Sequence, residues 1–136
     1  MKTIKISTKK DKEVIDITNI VDLEVKGIDE GLVSVFSLHT TAAITTADLD
    51  PGTDQDMMDA FKEIVPKLAY RHPHNPEHTP DHIITALIGS SLVVPIKDSK
   101  LYLGAWQRVV LVEMAGPRER EIVITVQNLD NKTPKV

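Results

Sequence analysis

The stretch Tyr70–His82, YRHPHNPEHTPDH, most constrains what this chain can fold into, because no regular helix or strand can run through it. Pro73, Pro76 and Pro80 each remove a backbone donor, and so they prevent a regular element over these residues. Apolar residues recur at helical spacing on both sides of the stretch. It is therefore predicted to be a loop that separates two helices.

The helix before this loop is predicted from Asp50, which can cap it, and from Pro51, which suits the first helical position. Its apolar face comprises Met57, Met58, Phe61, Ile64, Val65 and Leu68. The helix after the loop is predicted to begin with Thr79 as N-cap and to end near Gly89. Its apolar face comprises Ile83, Ile84, Leu87 and Ile88.

Alternating and β-branched segments fill both ends of the chain and predict strands. Thr3–Ser7 and Glu13–Ile17 flank a polar turn and are interpreted as an opening hairpin, and a short helix capped by Thr18 is predicted to end at Gly27. Residues 31–47 are predicted to form two consecutive strands or one long bent strand that ends near Ala47. Further strands are predicted in residues 91–96, 101–114 and 121–128, and the last two are joined by a turn at residues 115–120. The fold class is α+β: a mostly antiparallel β-sheet sandwich with two or three helices packed on one side.

Composition excludes several classes of protein. The 136 residues suit a single domain over residues 1–136, with the tail from Asn128 expected to fray. The 16 basic residues are scattered among 20 acidic ones, so a nucleic-acid partner is not expected. Cysteine is absent, which leaves imidazole, carboxylate and carbonyl as metal ligands. No signal peptide or membrane span is predicted, and a cytoplasmic location is expected.

The loop and the helix after it hold four of the five histidines. His78 and His82 are four residues apart, as in a zinc motif, but a helix starting at Pro80 would leave His78 outside it. His74 and His78 are interpreted as solvent-facing. His82 points away from the apolar face of its helix, so it faces water, a partner chain or a binding site.

Two polar residues are predicted within strands. His39 lies in an apolar strand segment and is either a satisfied core residue or part of a site. Glu113 shares a strand face with Val109 and Leu111, and the functional and structural interpretations of this residue remain equally open. Acids around the helix start at Asp50 could hold Mg²⁺, although capping explains them better.

The segments HTTAAIT, YRH and HTPDHIITALIGSSLVVPIKDSKLYLGAWQRVVLVEMAGPRER together resemble the YjbQ-like family, also described as the secondary thiamine-phosphate synthase family. The block GSSLVVPIKDSKLYLGAWQ is similar to the signature region of that family. The resemblance extends from His39 to about Val126. It implies a small α+β sandwich that forms a homotrimer and has a weak thiamine-phosphate synthase activity.

The resemblance also implies a site at eight positions. The implied ligands for a divalent metal, Zn²⁺ or Mg²⁺, are His39, His72 and His82; the implied catalytic residues are Glu113, Gln107 and Asp50; and the implied substrate- or phosphate-binding residues are Thr41 and Trp106. The chain departs from the family's NENAD pattern, since it has TADLD at residues 46–50, so that Ala47 replaces a glutamate. If the family's activity needs that glutamate, this protein lacks it.

The function expected from this resemblance is the joining of a pyrimidine pyrophosphate to a thiazole phosphate. The site would have to neutralise the departing pyrophosphate, normally with Mg²⁺, and carboxylates and histidines are suitable groups for that. The alternative is a trimer that binds a metal or a phosphorylated metabolite without catalysis. In both cases the expected partners are a small phosphorylated molecule and further copies of the chain.

Overall fold

The computed structural model describes residues 1–130, which form two antiparallel sheets and a layer of helices. The predicted α+β sandwich is confirmed. In chain order its elements are β1 (Lys2–Ser7), β2 (Glu13–Asp16), α1 (Thr18–Glu24), β3 (Glu30–Ser37), β4 (Ala42–Ala47), α2 (Thr53–Ile64), α3 (Thr79–Ile88), β5 (Ser91–Lys97), β6 (Lys100–Leu101), β7 (Arg108–Glu113) and β8 (Glu119–Asn128).

The strands divide between a five-stranded sheet, in the order β1-β8-β3-β5-β6, and a three-stranded sheet, in the order β2-β7-β4. The predicted opening hairpin is wrong, because β1 pairs with β8 and β2 pairs with β7. Thr8 exchanges backbone and side-chain hydrogen bonds with Arg118, so the polar segment after β1 is held just before the start of β8 and carries the chain to the other sheet. Alternation identified both strands, but it says nothing about their partners.

The main core lies between the two sheets, and α1 closes one end of it. Val21 and Val25 pack there with residues from both sheets, such as Val35 and Leu111. Thr18 is the first residue of the helix and not its cap. Its hydroxyl accepts the N–H of Val109 at 2.8 Å, and it therefore joins α1 to β7.

A second core lies on the outer face of the three-stranded sheet, under α2 and α3. Ile84 packs there with Val110 and Val112. The predicted apolar face of α2 extended too far, because the helix ends at Ile64 and Leu68 lies beyond it, exposed. Pro66 explains this end, since the residue before a proline is forced into an extended conformation.

The boundaries of the other predicted elements also shifted. Helix α2 begins at Thr53 after Gly52, later than the predicted cap at Asp50. A 3₁₀ turn, Pro76–His78, precedes α3, which begins at Thr79 and ends beside Gly89. His78 occupies the N-cap position, so Thr79 is the first residue of this helix and not its predicted cap. Leu87, predicted to lie on the apolar face of the helix, is exposed. The predicted strand over residues 101–114 is interrupted by a loop between β6 and β7.

No helix within residues 1–130 is long and apolar enough to cross a membrane. The tail that was expected to fray begins inside β8, whose last residue is Asn128. Leu129 donates its N–H to the carbonyl of Glu30 at 2.9 Å. The rest of that tail, residues 131–136, lies outside the described residues.

Replacing Gly31 should destabilise the fold, because β3 approaches β8 closely there. A Cβ atom at residue 31 would lie 2.3 Å from the carbonyl oxygen of Gln127. We expect Gly31→Ala to lower the free energy of unfolding by about 1–3 kcal/mol, measured by urea titration. Ser91→Ala, at an exposed position of the same sheet, is the control, and equal stabilities for the two variants would contradict this account.

Candidate functional site

A buried ion pair joins the two sheets at one end of the main core. Glu113 ends β7 and Arg120 lies near the start of β8, and their side chains are 0% and 2% exposed. The guanidinium of Arg120 donates to both carboxylate oxygens of Glu113, through Nε at 2.7 Å and through a second, shorter contact. Such a bidentate arrangement is the strongest geometry for this pair of groups.

Neighbouring groups satisfy the remaining hydrogen-bonding capacity of the pair. The same guanidinium donates to the Thr41 hydroxyl at 2.9 Å, and the Ala115 N–H donates to Glu113 at 3.0 Å. Desolvation raises the pKa of Glu113, but the hydrogen bonds from Arg120, Ala115 and Thr8 outweigh it, and the net pKa lies below its usual value. Glu113 is therefore an enclosed, ionised carboxylate that a solute cannot contact in a single chain.

His39 lies beside this ion pair. It follows β3 in the connection to β4. The sequence had predicted a position within a strand, and that prediction is wrong. Its Nε2 accepts the backbone N–H of Glu121 at 2.7 Å. Partial burial, and then the positive charge of Arg120, lower the pKa of His39 below its usual value. The structure thus gathers three of the implied site residues, His39, Thr41 and Glu113, around Arg120.

His72 and His82 form a second group. Their rings stack with centroids 5.1 Å apart, although one belongs to the loop and the other to α3. The Nδ1 atom of His72 accepts the N–H groups of His74 and Asn75, both at 3.3 Å. Because a nitrogen that accepts a hydrogen bond carries no proton, neutral His72 carries its proton on Nε2.

The two remaining loop histidines have different surroundings. His74 is exposed, as predicted, and its ring is inclined at 68° to that of His72, with centroids 6.3 Å apart. His78 is partly buried and lines a cavity of about 510 Å³ between α2 and α3, so it is less exposed to solvent than His74.

Lys12 connects the neighbourhoods of these two groups. Its Nζ donates to Asp81 at 2.9 Å and to the carbonyl of Met114 at 2.7 Å. Asp81 precedes His82 on α3, and Met114 follows Glu113. The start of α3 is therefore anchored beside the end of β7.

Asp50, Trp106 and Gln107 lie in a third region. Asp50 and Trp106 line a surface cavity of about 280 Å³, and the Trp106 side chain is 73% exposed. Gln107 folds back on its own loop and accepts the Gly104 N–H at 2.8 Å. In one chain, the eight implied positions thus form three separate groups.

The residues of one chain do not suit the implied metal. No group of three or more histidine, aspartate or glutamate side chains within residues 1–130 is placed to hold an ion. The Nε2 of His39 and the Nδ1 of His72 are both occupied by backbone N–H groups. A neutral imidazole binds a metal through its unprotonated nitrogen, and in these two rings that nitrogen is engaged.

Arg120 was missed by the sequence interpretation, which assigned residues 115–120 to a turn. A signal was present, because Arg120 has the same parity along its strand as Ile122 and Ile124, which face the core. An arginine on an inward strand face needs a buried carboxylate partner, and Glu113 was already an unexplained one. Pairing the two would have located the interaction between the sheets.

Comparison with known proteins gives a consistent result. A sequence model described as UPF0047 protein YjbQ-like matches residues 2–129. A UPF0047 protein of Archaeoglobus fulgidus is 35% identical over 122 residues, which are 89% of this chain and 96% of that protein. The UPF0047 protein YugU of Bacillus subtilis is 35% identical over 127 residues, covering 91% and 96% of the two chains.

Solved structures agree with the fold. A hypothetical protein from Aeropyrum pernix K1 superimposes with a TM-score of 0.86 at 30% identity and covers 93% of this chain and 97% of that one. A YbjQ-like protein of unknown function from Sulfolobus solfataricus P2 superimposes with a TM-score of 0.85 at 32% identity, covering 92% and 94%. Fold and site together therefore define a YjbQ-like α+β sandwich.

The chain belongs to the UPF0047, YjbQ-like family. The resemblance carried by its histidine, threonine and signature-block segments is thereby confirmed.

Neutralising one partner of the buried ion pair should strongly destabilise the protein. Glu113→Gln keeps the size of the side chain but leaves the charge of Arg120 buried and uncompensated, so we expect a loss of about 3–5 kcal/mol in urea unfolding. Glu119→Gln breaks only the exposed pair with Lys5 and should cost less than about 1 kcal/mol. Similar losses in the two variants would show that the buried pair is not specially stabilising.

The protein should become less stable as the pH falls, because His39 is neutral in the folded state and must then take up a proton. The folded state lowers its pKa, so it favours the neutral ring, which also accepts the Glu121 N–H. This contribution is complete above the ordinary histidine pKa of about 6.5 and is lost as the pH falls through the lower, folded value. The charged groups that act electrostatically on the ring are those of Arg120, Glu121, Glu113 and Arg118. His39→Gln should make stability less dependent on pH below pH 6.5, measured by thermal unfolding at several pH values. A profile unchanged by this substitution would refute the assignment.

Proposed function

We propose that this chain binds the phosphate groups of a small metabolite beside the His72–His82 pair, and that it weakly catalyses thiamine-phosphate synthesis. The observation that carries the proposal is the orientation of His72. Its Nδ1 is occupied by two backbone N–H groups, and its Nε2–H remains available as a donor. Imidazole donors of this kind suit anionic phosphate oxygens.

In the proposed reaction, the ring nitrogen of the thiazole phosphate attacks the methylene carbon of the pyrimidine pyrophosphate. The new carbon–nitrogen bond forms as the carbon–oxygen bond breaks, and the electron pair of that bond leaves with the pyrophosphate. His72 would donate its Nε2–H to the oxygen on which this charge develops. His82 would hold the His72 ring in place by stacking against it. Donors fixed in advance are effective because they need no reorganisation during the reaction.

A divalent metal, when bound, would supply further neutralisation of the pyrophosphate. The resemblance implies one, but the imidazoles of a single chain do not form its site. The proposed mechanism therefore depends on hydrogen-bond donors of the chain itself. Asp50 and Trp106, which share a cavity, remain candidates for contacts with the organic part of a substrate.

The homotrimer remains a prediction from the resemblance. The outer face of the five-stranded sheet supports association, because Phe36 and Val93 on that face are 46% and 59% exposed. Light scattering on the purified protein measures the number of copies directly.

The second candidate is a binding protein without turnover. It is favoured by the enclosure of Glu113, which the resemblance implied to be catalytic and which forms an internal ion pair. It is favoured also by Ala47, which packs against the second core at the position where the family pattern has a glutamate. This candidate predicts phosphate binding without product.

Substituting His72 should separate these possibilities. We expect wild-type protein, supplied with pyrimidine pyrophosphate, thiazole phosphate and Mg²⁺, to form thiamine phosphate detectable by chromatography. His72→Gln should reduce the rate at least tenfold, because a charge-assisted hydrogen bond contributes roughly 1.5–3 kcal/mol.

The matched control is His74→Gln, because the His74 side chain is exposed and the hydrogen bond from this residue to His72 comes from its backbone N–H, which the substitution keeps. It should retain the wild-type rate. Equal rates for the two variants would exclude His72 from the site. Phosphate binding without any product from the wild type would favour the binding protein.

A further inference from the structure

His39 accepts a backbone hydrogen bond at the end of the pairing between β3 and β8. The pairing of β3 with β8 ends at Ser37 and Ile122, and one more backbone bond, from Leu38 N–H to the Glu121 carbonyl at 3.2 Å, continues it. The N–H of Glu121 then has no strand carbonyl opposite and donates to His39 Nε2 at 2.7 Å. Because backbone donors in folded proteins need partners, this bond fixes the ring.

Arg120 holds both sides of that hydrogen bond in place. It precedes Glu121 in β8, so its ion pair with Glu113 fixes the strand that supplies the N–H group. It also donates to the hydroxyl and the carbonyl of Thr41, at 2.9 and 3.3 Å, two residues after His39. One buried guanidinium therefore sets the position of the donor and of the ring that accepts from it.

The hydrogen bond determines which nitrogen of His39 carries the proton. Since Nε2 accepts, the neutral ring is protonated on Nδ1. Histidines that bind metals show the opposite arrangement, in which the protonated nitrogen donates to the protein and the unprotonated one faces the ion. In His39 the unprotonated nitrogen is engaged by the backbone, and only an N–H group is left to offer.

We propose that His39 is a hydrogen-bond donor to an anionic oxygen of a phosphorylated small molecule, and not a metal ligand, with Arg120 as the positioning residue that keeps it so. This inference rests on the proposed function, because it assumes the same class of ligand. It reverses the role that the resemblance implied for His39. It also assigns the buried ion pair a task beyond stability.

The first test determines which ring nitrogen of His39 carries the proton. In ¹⁵N-labelled protein at pH 7.5, long-range ¹⁵N–¹H correlation spectra should show His39 protonated on Nδ1. Inorganic phosphate should shift this resonance, whereas Zn²⁺ should leave the Nδ1–H form of His39 intact. A proton on Nε2, or loss of the Nδ1–H signal with Zn²⁺, would overturn the proposal.

The second test uses two substitutions that each keep half of the ring's function. His39→Gln can still accept the Glu121 N–H through its side-chain oxygen but has no donor at the Nδ1 position. It should fold as stably as the wild type and lose about tenfold in affinity for inorganic phosphate. His39→Asn keeps a donor near the Nδ1 position and loses the acceptor, so it should be less stable but retain binding. The reverse pattern would show that His39 is purely structural.

The third test concerns Arg120. Arg120→Lys retains a positive charge beside Glu113 but cannot form the bidentate hydrogen bonds that Arg120 makes with that carboxylate. We expect the His39 tautomers to become mixed and phosphate affinity to fall. An unchanged Nδ1–H spectrum in a folded Arg120→Lys protein would remove Arg120 from this role. Should that variant not fold, the His39 substitutions still decide the part played by the ring.

Failure of this inference is distinguishable from failure of the proposed function. If inorganic phosphate shifts His72 but not His39, the donor role of His39 is wrong and the phosphate site beside His72 stands. If phosphate shifts neither ring, both proposals are wrong.

Discussion

The ion pair between Glu113 and Arg120 is the interaction on which the rest of the structure depends. Each partner belongs to a different sheet, and both are enclosed by the core. Removing two charges from water is costly, and the cost is offset only if their hydrogen bonds are complete. Here the requirement determines the arrangement around the pair, including the Thr41 hydroxyl and the Ala115 N–H, which both point at it.

The sequence predicted the class of fold because its patterns are local. Strands β3 and β4 were recognised from their composition, and α3 from Thr79, Pro80 and the apolar residues that follow. Topology was not predicted, since alternation along β1 and β2 describes only which face is buried. Their assignment to different sheets follows from distant partners near the other end of the chain.

The candidate site shows the same limit. Resemblance selected His39, Thr41 and Glu113. These residues lie around Arg120, which bonds to Glu113 and Thr41, but Arg120 itself was assigned to a turn. The spacing of His72 and His82 could not predict their stacking, because the loop between them includes two prolines and a 3₁₀ turn. Which imidazole nitrogen is free depends on backbone donors, and these cannot be located before the strands are paired.

The pairing of β1 with β8 has a consequence for how the chain acquires its fold. The first strand of the five-stranded sheet takes its place beside the last one, so its partner is absent until residues 119–124 have left the ribosome. Strand β3 likewise needs β8 on one side. Contacts this distant in sequence slow folding, and the pairing of β1 and β3 with their common neighbour must therefore wait until β8 has been synthesised.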